Sequence, residues 1–275
     1  MALPESPRAV VTGAGSGLGR ALCVVLAQRG ARIVASDINL SAARATVALL
    51  PGDQAHAVAC DVANFEQVQA LGEKADQLLG GVDLVVNNAG VAAGGRVGEI
   101  PLSDWQWLLG INLWGVIHGC HVFVPRLRRQ KSGHILNVAS AAGLAGLPQL
   151  GPYNVSKAGV IALSETLHGE LLPEGISVTV LCPTFFQTGI ARTARAQDPR
   201  TLALAEKLME LAPLTAEDVA RRALQGVDRG ELYVLPQADA RWIWRLKRLA
   251  PDRFHLLAPR LLERQARRLG IEFPR

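Results

Sequence analysis

Short apolar runs alternate along this chain with stretches of helical periodicity. RAVVTGAG from Arg8, ARIVASD from Ala31, AHAVACDV from Ala55, VDLVVNNAG from Val82, GHILNVAS from Gly133, ISVTVLCP from Ile176 and ELYVLP from Glu231 are rich in Val, Ile or Leu. Gly, Pro or Asp bounds them, as expected of strands. Most are nearly continuous in their apolar character, which suits strands covered on both faces. Between them the periodicity predicts helices at about 18–30, 40–50, 64–80, 103–130, 153–172 and 215–228. SDWQ at 103–106 and TAEDV at 215–219 each set a hydroxyl ahead of acidic residues, a helix-start signal.

This order predicts an α/β protein: a Rossmann-like, doubly wound, seven-stranded parallel sheet flanked by helices, in one domain over residues 1–236. The segment after Pro183 is irregular and then helical (TLALAEKLMELA). It is long for a connection, so 184–213 is read as a lid. From 237 to 275 the texture becomes basic, aromatic and leucine-rich, a helical C-terminal extension.

Composition narrows the picture. The chain has 275 residues, 49% hydrophobic and 19% charged, enough apolar material for one large core and too little charge for disorder. The net charge of +5 is concentrated in residues 241–275, so it describes a tail and not a nucleic-acid surface. Cys23, Cys60, Cys120 and Cys182 lie in apolar contexts without metal-ligand spacing, and are read as buried free thiols of a reducing compartment. No signal-peptide pattern and no uninterrupted membrane-length apolar run is seen, so a cytoplasmic protein is expected. No metal site is expected either: His118 and His121 lie three apart on a helix with no further ligand in view.

Candidate chemistry begins at VVTGAGSGLGR, which joins the first strand to the first helix. Thr12, Gly13, Gly17 and Gly19 form T-G-x-x-x-G-x-G with Ser16 inside, a turn that lets a pyrophosphate approach backbone N–H groups at a helix start. Asp37 ends the second strand, where a carboxylate bonds the adenosine ribose hydroxyls and repels a 2′-phosphate. Ile38 follows it and supplies no cation, so NAD is expected over NADP. Asp61 ends the third strand, near where adenine would lie, and Asn88, Ala89 and Gly90 follow the fourth. Tyr153 and Lys157 stand one helical turn apart in GPYNVSK. Such a pair is either an ordinary helix face or a proton-transfer device, since a nearby cation favours phenolate.

TGAGSGLG, CDV, NNAG, INLWG, NVAS and YNVSK, in this order between Arg8 and Pro236, closely resemble the short-chain dehydrogenase/reductase family of NAD(P)-dependent oxidoreductases. The resemblance implies a catalytic tetrad. Tyr153 is its general acid/base, Lys157 lowers the tyrosine pKa and holds the nicotinamide ribose, and Ser140 orients the substrate oxygen. Asn112 keeps a water in the proton relay to Lys157. The resemblance also implies cofactor contacts from Leu18, Val62, Pro183, Thr184, Phe186 and Thr188. Two departures stand out: Thr184 replaces the family's usual glycine after Pro183, and Ala139 replaces the first of two usual serines.

Ala92, Ala93, Leu144, Leu147, Gln149, Phe185, Phe186 and Ile190 are placed around the reaction centre, a largely apolar lining for a hydrophobic secondary alcohol or ketone. Phe185 and Phe186 have a second reading, packing under the lid. The rivals are a 3-oxoacyl reductase of fatty-acid type and a silent NAD-binding sensor. The extension is read first as packing on the body of the protein, with Pro251 and Pro259 cutting it into short helices, and second as a peripheral membrane contact. A homodimer or homotetramer through the helices at 103–130 and 153–172 is implied by the resemblance.

Overall fold

The computed structural model describes residues 2–196 and 198–270, so residues 271–275 of the extension lie outside the described residues. Its strands are β1 (Arg8–Thr12), β2 (Arg32–Asp37), β3 (Ala55–Ala59), β4 (Leu84–Asn87), β5 (Ala93–Gly94), β6 (Gly133–Val138), β7 (Ile176–Leu181), β8 (Arg195–Ala196) and β9 (Tyr233–Val234). Seven form one parallel sheet, as the pattern predicts, and their order is β3-β2-β1-β4-β6-β7-β9. β5 and β8 make a separate two-stranded pair that two-residue strands leave no signal for.

The helices are α1 (Gly17–Ala27), α2 (Leu40–Val47), α3 (Phe65–Leu79), α4 (Leu102–Leu109), α5 (Gly115–Gln130), α6 (Ala141–Ala145), α7 (Gly151–Leu171), α8 (Pro199–Glu210), α9 (Ala216–Asp228), α10 (Ala238–Leu249) and α11 (Pro251–Arg268). Thr215 caps α9 in a reciprocal capping box with Asp218. Ser103 does not cap α4. Pro101 precedes the helix, its fixed φ suits entry, and Ser103 falls inside the first turn.

The strands are apolar on both faces because both faces are covered. Ala9 and Val11 of β1 join Ile33, Ala35, Leu84 and Val86 under α1 and α9. Val10, Val34 and Val85 point the other way, to Val68 and Leu71 of α3 and Phe123 of α5. The period-two alternation of strand side chains thus divides one apolar run between two layers. On that second face, α7 and α5 close over β6 and β7 through Val160, Leu171, Val124 and Ile135. By length and composition Leu102–Gln130 would cross a membrane, but half of its apolar window is buried in this core.

All four cysteines are buried and unpaired. His118 bonds the Val62 carbonyl at 2.9 Å, and His118 and His121 both flank Phe65. His134 is buried in β6, its Nε2 2.9 Å from Thr179 Oγ1 and its Nδ1 without a partner. Burial pushes this imidazole down to about 3. An unfolded chain would bind that proton near pH 6.5, so between there and pH 3 the unfolded state binds more protons. Stability should therefore fall on acidification from pH 6.5, by up to about 1.4 kcal/mol per pH unit from this group. Thermal melts from pH 7 to 4 should show a shallower decline for His134→Leu; an equal slope would refute the assignment.

Candidate active site

The carboxyl ends of the strands bring the sequence-selected residues to one edge. β1 and β4 are neighbours, yet the chain leaves β1 for β2 on one side and returns to β4 on the other, which makes this the topological switch point. Thr12 Oγ1 accepts from the Asn88 and Ala89 amides at 3.0 and 3.2 Å, and Asn88 Nδ2 donates to the carbonyls of Thr12 and Gly13. Asn88 and Thr12 therefore stitch the glycine turn to β4. A Cβ at Gly19 would lie 2.1 Å from the Gly13 carbonyl, so only glycine lets the helix start so close to the strand. No side chain caps α1 at Ser16, which leaves the first N–H groups around Gly17, Leu18 and Gly19 to an anion. Thr188 closes over this point, its hydroxyl 3.0 Å from where a Gly17 Cβ would be.

Asp37 is half-buried beside the turn. Its Oδ2 accepts from Gly15 N at 2.8 Å and its Oδ1 from Asn39 N at 2.9 Å. Each oxygen keeps further acceptor capacity for a diol. Ile38 next to it is exposed, as an adenine-stacking position would be. Asp61 accepts from Ala63 N, and Val62 is buried against Gly115. Arg20, which no spacing singled out, lies here too: its guanidinium bonds the Gly15 carbonyl and Thr46 Oγ1. It braces the turn from behind and is already committed. Its position after the third glycine offers no sequence signal for that bond.

At the end of β6, Ser140 starts α6 and its Oγ accepts from Ala142 N at 3.1 Å. The same hydroxyl donates to Pro183 O at 3.4 Å and lies near enough to the Tyr153 phenol to oppose the effect of its burial. α6 and α7 touch closely enough that a Cβ at Gly143 would meet Lys157 main chain at 2.6 Å, which sets Ser140 against the first turn of α7. Lys157 is 4% exposed, and its ammonium donates to Val138 O at 2.9 Å. An ammonium has three donors, and Val138 O is the one acceptor bonded to it among the described residues. That remaining donor capacity fits a ribose diol. Burial pushes Lys157 down to about 8.

One electrostatic expectation is corrected here. Tyr153 is not held below its ordinary pKa by Lys157: burial raises it, with the Ser140 hydrogen bond pulling the other way. The reason is geometric. The Lys157 nitrogen is turned to the Val138 carbonyl, 5.7 Å from the tyrosine ring centre. Desolvation of the phenolate outweighs it.

Asn112 lies in a π-type stretch, Gly110–Trp114, that interrupts the helix between α4 and α5. Its Oδ1 accepts from Val91 N at 2.8 Å and its Nδ2 donates to Val91 O at 2.9 Å. The amide is thus spent on the main chain after Gly90. A Cβ at Gly90 would lie 3.3 Å from Asn112 Oδ1 and 3.6 Å from Lys157 Nζ, so glycine keeps the gap between them open.

The substrate side is less uniform. Leu144 packs against the core under α7, Leu147 supplies a carbonyl to Asn154, and Gln149 adopts a left-handed φ of 62° beside β5. Ile190 opens a short 3-10 turn within the 184–213 segment. Phe185 packs with Leu204 and Leu208 of α8 and Ala266 of α11, while Phe186 packs on the core beneath α1 and α9. Arg195 in β8 ties the 184–213 segment to α4, its guanidinium 3.8 Å over the Trp107 ring and 2.8 Å from Asp104. Thr184, where the family motif has glycine, bonds Gln237 and Asp239 at the start of α10. The departure is thereby linked to the C-terminal extension.

A family model described as short chain dehydrogenase matches residues 7–199. The Mycobacterium tuberculosis protein named Probable oxidoreductase EphD is 39% identical over 194 residues, 70% of this chain and 33% of that relative. The chain thus spans about a third of EphD. Putative oxidoreductase SadH of the same species is 32% identical over 259 residues, 92% of this chain and 94% of that one. Among solved structures, a short chain dehydrogenase/reductase from Burkholderia phymatum in complex with NAD has a TM-score of 0.87 at 36% identity, over 92% of this chain and 96% of that one. LigD from Sphingobium sp. strain SYK-6 has a TM-score of 0.76 at 29% identity, over 90% and 97%.

Proposed function

Because this chain belongs to the short-chain dehydrogenase family of oxidoreductases, we propose that it interconverts a hydrophobic secondary alcohol and its ketone with NAD(H). The observation that carries the reading is the meeting of Ser140, Tyr153 and Lys157 at the end of β6. The nicotinamide supplies hydride chemistry when bound. Gly13, Ser16, Gly17, Leu18, Gly19, Asp37, Asn88, Ala89, Gly90 and Thr188 would hold it.

Tyr153 takes the proton of the alcohol, or returns it to the ketone oxygen. Ser140, fixed by Ala142 and Pro183, holds that same oxygen and its direction. Lys157 binds the ribose with its remaining donors, and its pKa of about 8 lets it pass a proton on near neutral pH. Asn112 positions Val91 and so the main chain beside Lys157; a water in the relay would rest on the main chain of Asn112 and not on its amide.

The apolar character of Leu147, Phe185 and Ile190, which the resemblance sets around the reaction centre, supports a lipophilic substrate of steroid, aliphatic or aryl type. A homodimer or homotetramer belongs to the same reading, supported by exposed Trp114 and Val155 on the long helices; a monomer by light scattering would count against it.

A panel of hydrophobic alcohols and ketones with NAD and NADP, followed at the nicotinamide absorbance, tests the proposal. Turnover confined to small polar hydroxy acids would overturn the substrate class. Asp37→Asn should narrow the preference for NAD by roughly tenfold, one such factor being about 1.4 kcal/mol of lost repulsion, with melting lowered slightly because the amide nitrogen cannot accept one of the two main-chain bonds. An unaltered ratio would remove Asp37 from that role.

A further inference from the structure

Helices α10 and α11 have two chemically different faces, and the inner one is already used. On α10, Ala240 is buried and Trp244 meets Tyr233 at 5.7 Å between ring centres. On α11, Ala266 and Leu269 join Phe185, Leu204 and Leu208, and His255 lies beside Gly146. Pro251 begins α11 after a break at Ala250, but Pro259 sits inside the helix and does not end it, contrary to its sequence reading. The extension is therefore a pair of helices, one of them long, with α10 packed on β9 and α6 and α11 on α8.

Among the described residues, the outer face carries large apolar side chains that stay exposed. Trp242, Leu246 and Leu249 stand at i, i+4 and i+7 on α10, exposed to 62%, 51% and 84%. Leu256 and Leu257 of α11 are exposed as well. Large apolar side chains gathered in this way mark an interaction surface. Arg241, Arg245 and Arg248 run directly beside the α10 stripe, and Arg253, Arg260 and Arg264 continue on α11, all exposed.

Residues 238–270 contain nine Lys and Arg against three acids. Two of those acids are engaged, Asp239 with Thr184 and Glu263 with Arg267. Among the described residues, no carboxylate pairs with Arg241, Arg245, Arg253, Arg260 or Arg264. A second copy of this chain is a poor match, because two-fold pairing would set arginine against arginine. An anionic bilayer matches both halves of the face: Trp and Leu enter the headgroup–acyl boundary while the guanidiniums meet lipid phosphates.

We propose that α10 and α11 seat this protein on an anionic phospholipid surface through Trp242, Leu246, Leu249, Leu256 and Leu257, with Arg241, Arg245 and Arg253 on the phosphates. The inference is independent of the redox reading. Because α11 also packs on Phe185, Leu204 and Leu208, docking would place the 184–213 segment next to the bilayer.

Flotation of the full chain with vesicles of phosphatidylglycerol and phosphatidylcholine, against phosphatidylcholine alone, is the test. Binding to the anionic vesicles should exceed that to neutral ones by roughly tenfold or more and fall in high salt. Both Leu246→Glu/Leu249→Glu and Arg241→Glu/Arg245→Glu should lose it, with melting and turnover of a water-soluble substrate unchanged. Absence of flotation with anionic vesicles at low salt would overturn the proposal. So would retained flotation in both variants, or a wild type that does not float while Leu246→Glu/Leu249→Glu lowers its oligomeric state in light scattering.

Discussion

Tyr153→Phe should lower kcat by roughly 10²–10⁴, the usual contribution of a positioned proton donor, while NADH still binds. The fold should tolerate the change. Ser140 keeps its bonds to Ala142 and Pro183 without the phenol, and the ring that remains fills the same space. The wild-type pH profile carries a second signature. Since burial raises the Tyr153 pKa, alcohol oxidation should climb with pH through the alkaline range, and ketone reduction, which needs the phenol protonated, should hold at neutral pH. Stopped-flow hydride transfer and NADH fluorescence separate the two effects. Normal turnover with bound NADH would remove Tyr153 from the chemistry.

Lys157→Met should separate function from stability more sharply. The ammonium is 4% exposed with Val138 O bonded to it, and its pKa falls from 10.5 to about 8. That displacement amounts to about 3 kcal/mol of unfavourable burial of the charged form. Methionine removes it and leaves Val138 O without its donor, at a cost of about 1–3 kcal/mol. Melting should therefore stay level or rise, while cofactor affinity and turnover are lost.

The pH dependence has a definite sign. Below pH 8 lysine is charged in both folded and unfolded states and the penalty is constant. From pH 8 to 10.5 only the unfolded chain holds the proton, so wild-type stability rises relative to the variant. Melts across that window check it. A variant that melts far below wild type at neutral pH would show that the lysine stabilises the fold.

Much of this architecture was legible in sequence because its determinants are local. β-Branched runs bounded by Gly and Asp restrict dihedrals within a few residues, and the seven apolar runs are the seven strands of the sheet. The glycine turn was legible for the same reason: Gly13 and Gly17 adopt φ of 64° and 50°, which few other residues accept. The β5–β8 pair and the short α6 were not, since two to five residues carry no periodicity. Nor did the motif containing Asn112 disclose that its amide is given to Val91, a partner 21 residues away. Arg20 and Thr184 are of this kind too, each defined by a contact from another element.

The sequence by itself determined the alternation of strand and helix, the edge at which the ionisable groups gather, and the spacing of Tyr153 from Lys157. Tertiary structure alone decided their protonation, because a pKa depends on how much water surrounding elements remove. It also decided that one side of the basic tail is packed against α8 and β9 while the other keeps its arginines and leucines exposed. A side chain's type is local information; its solvent is not.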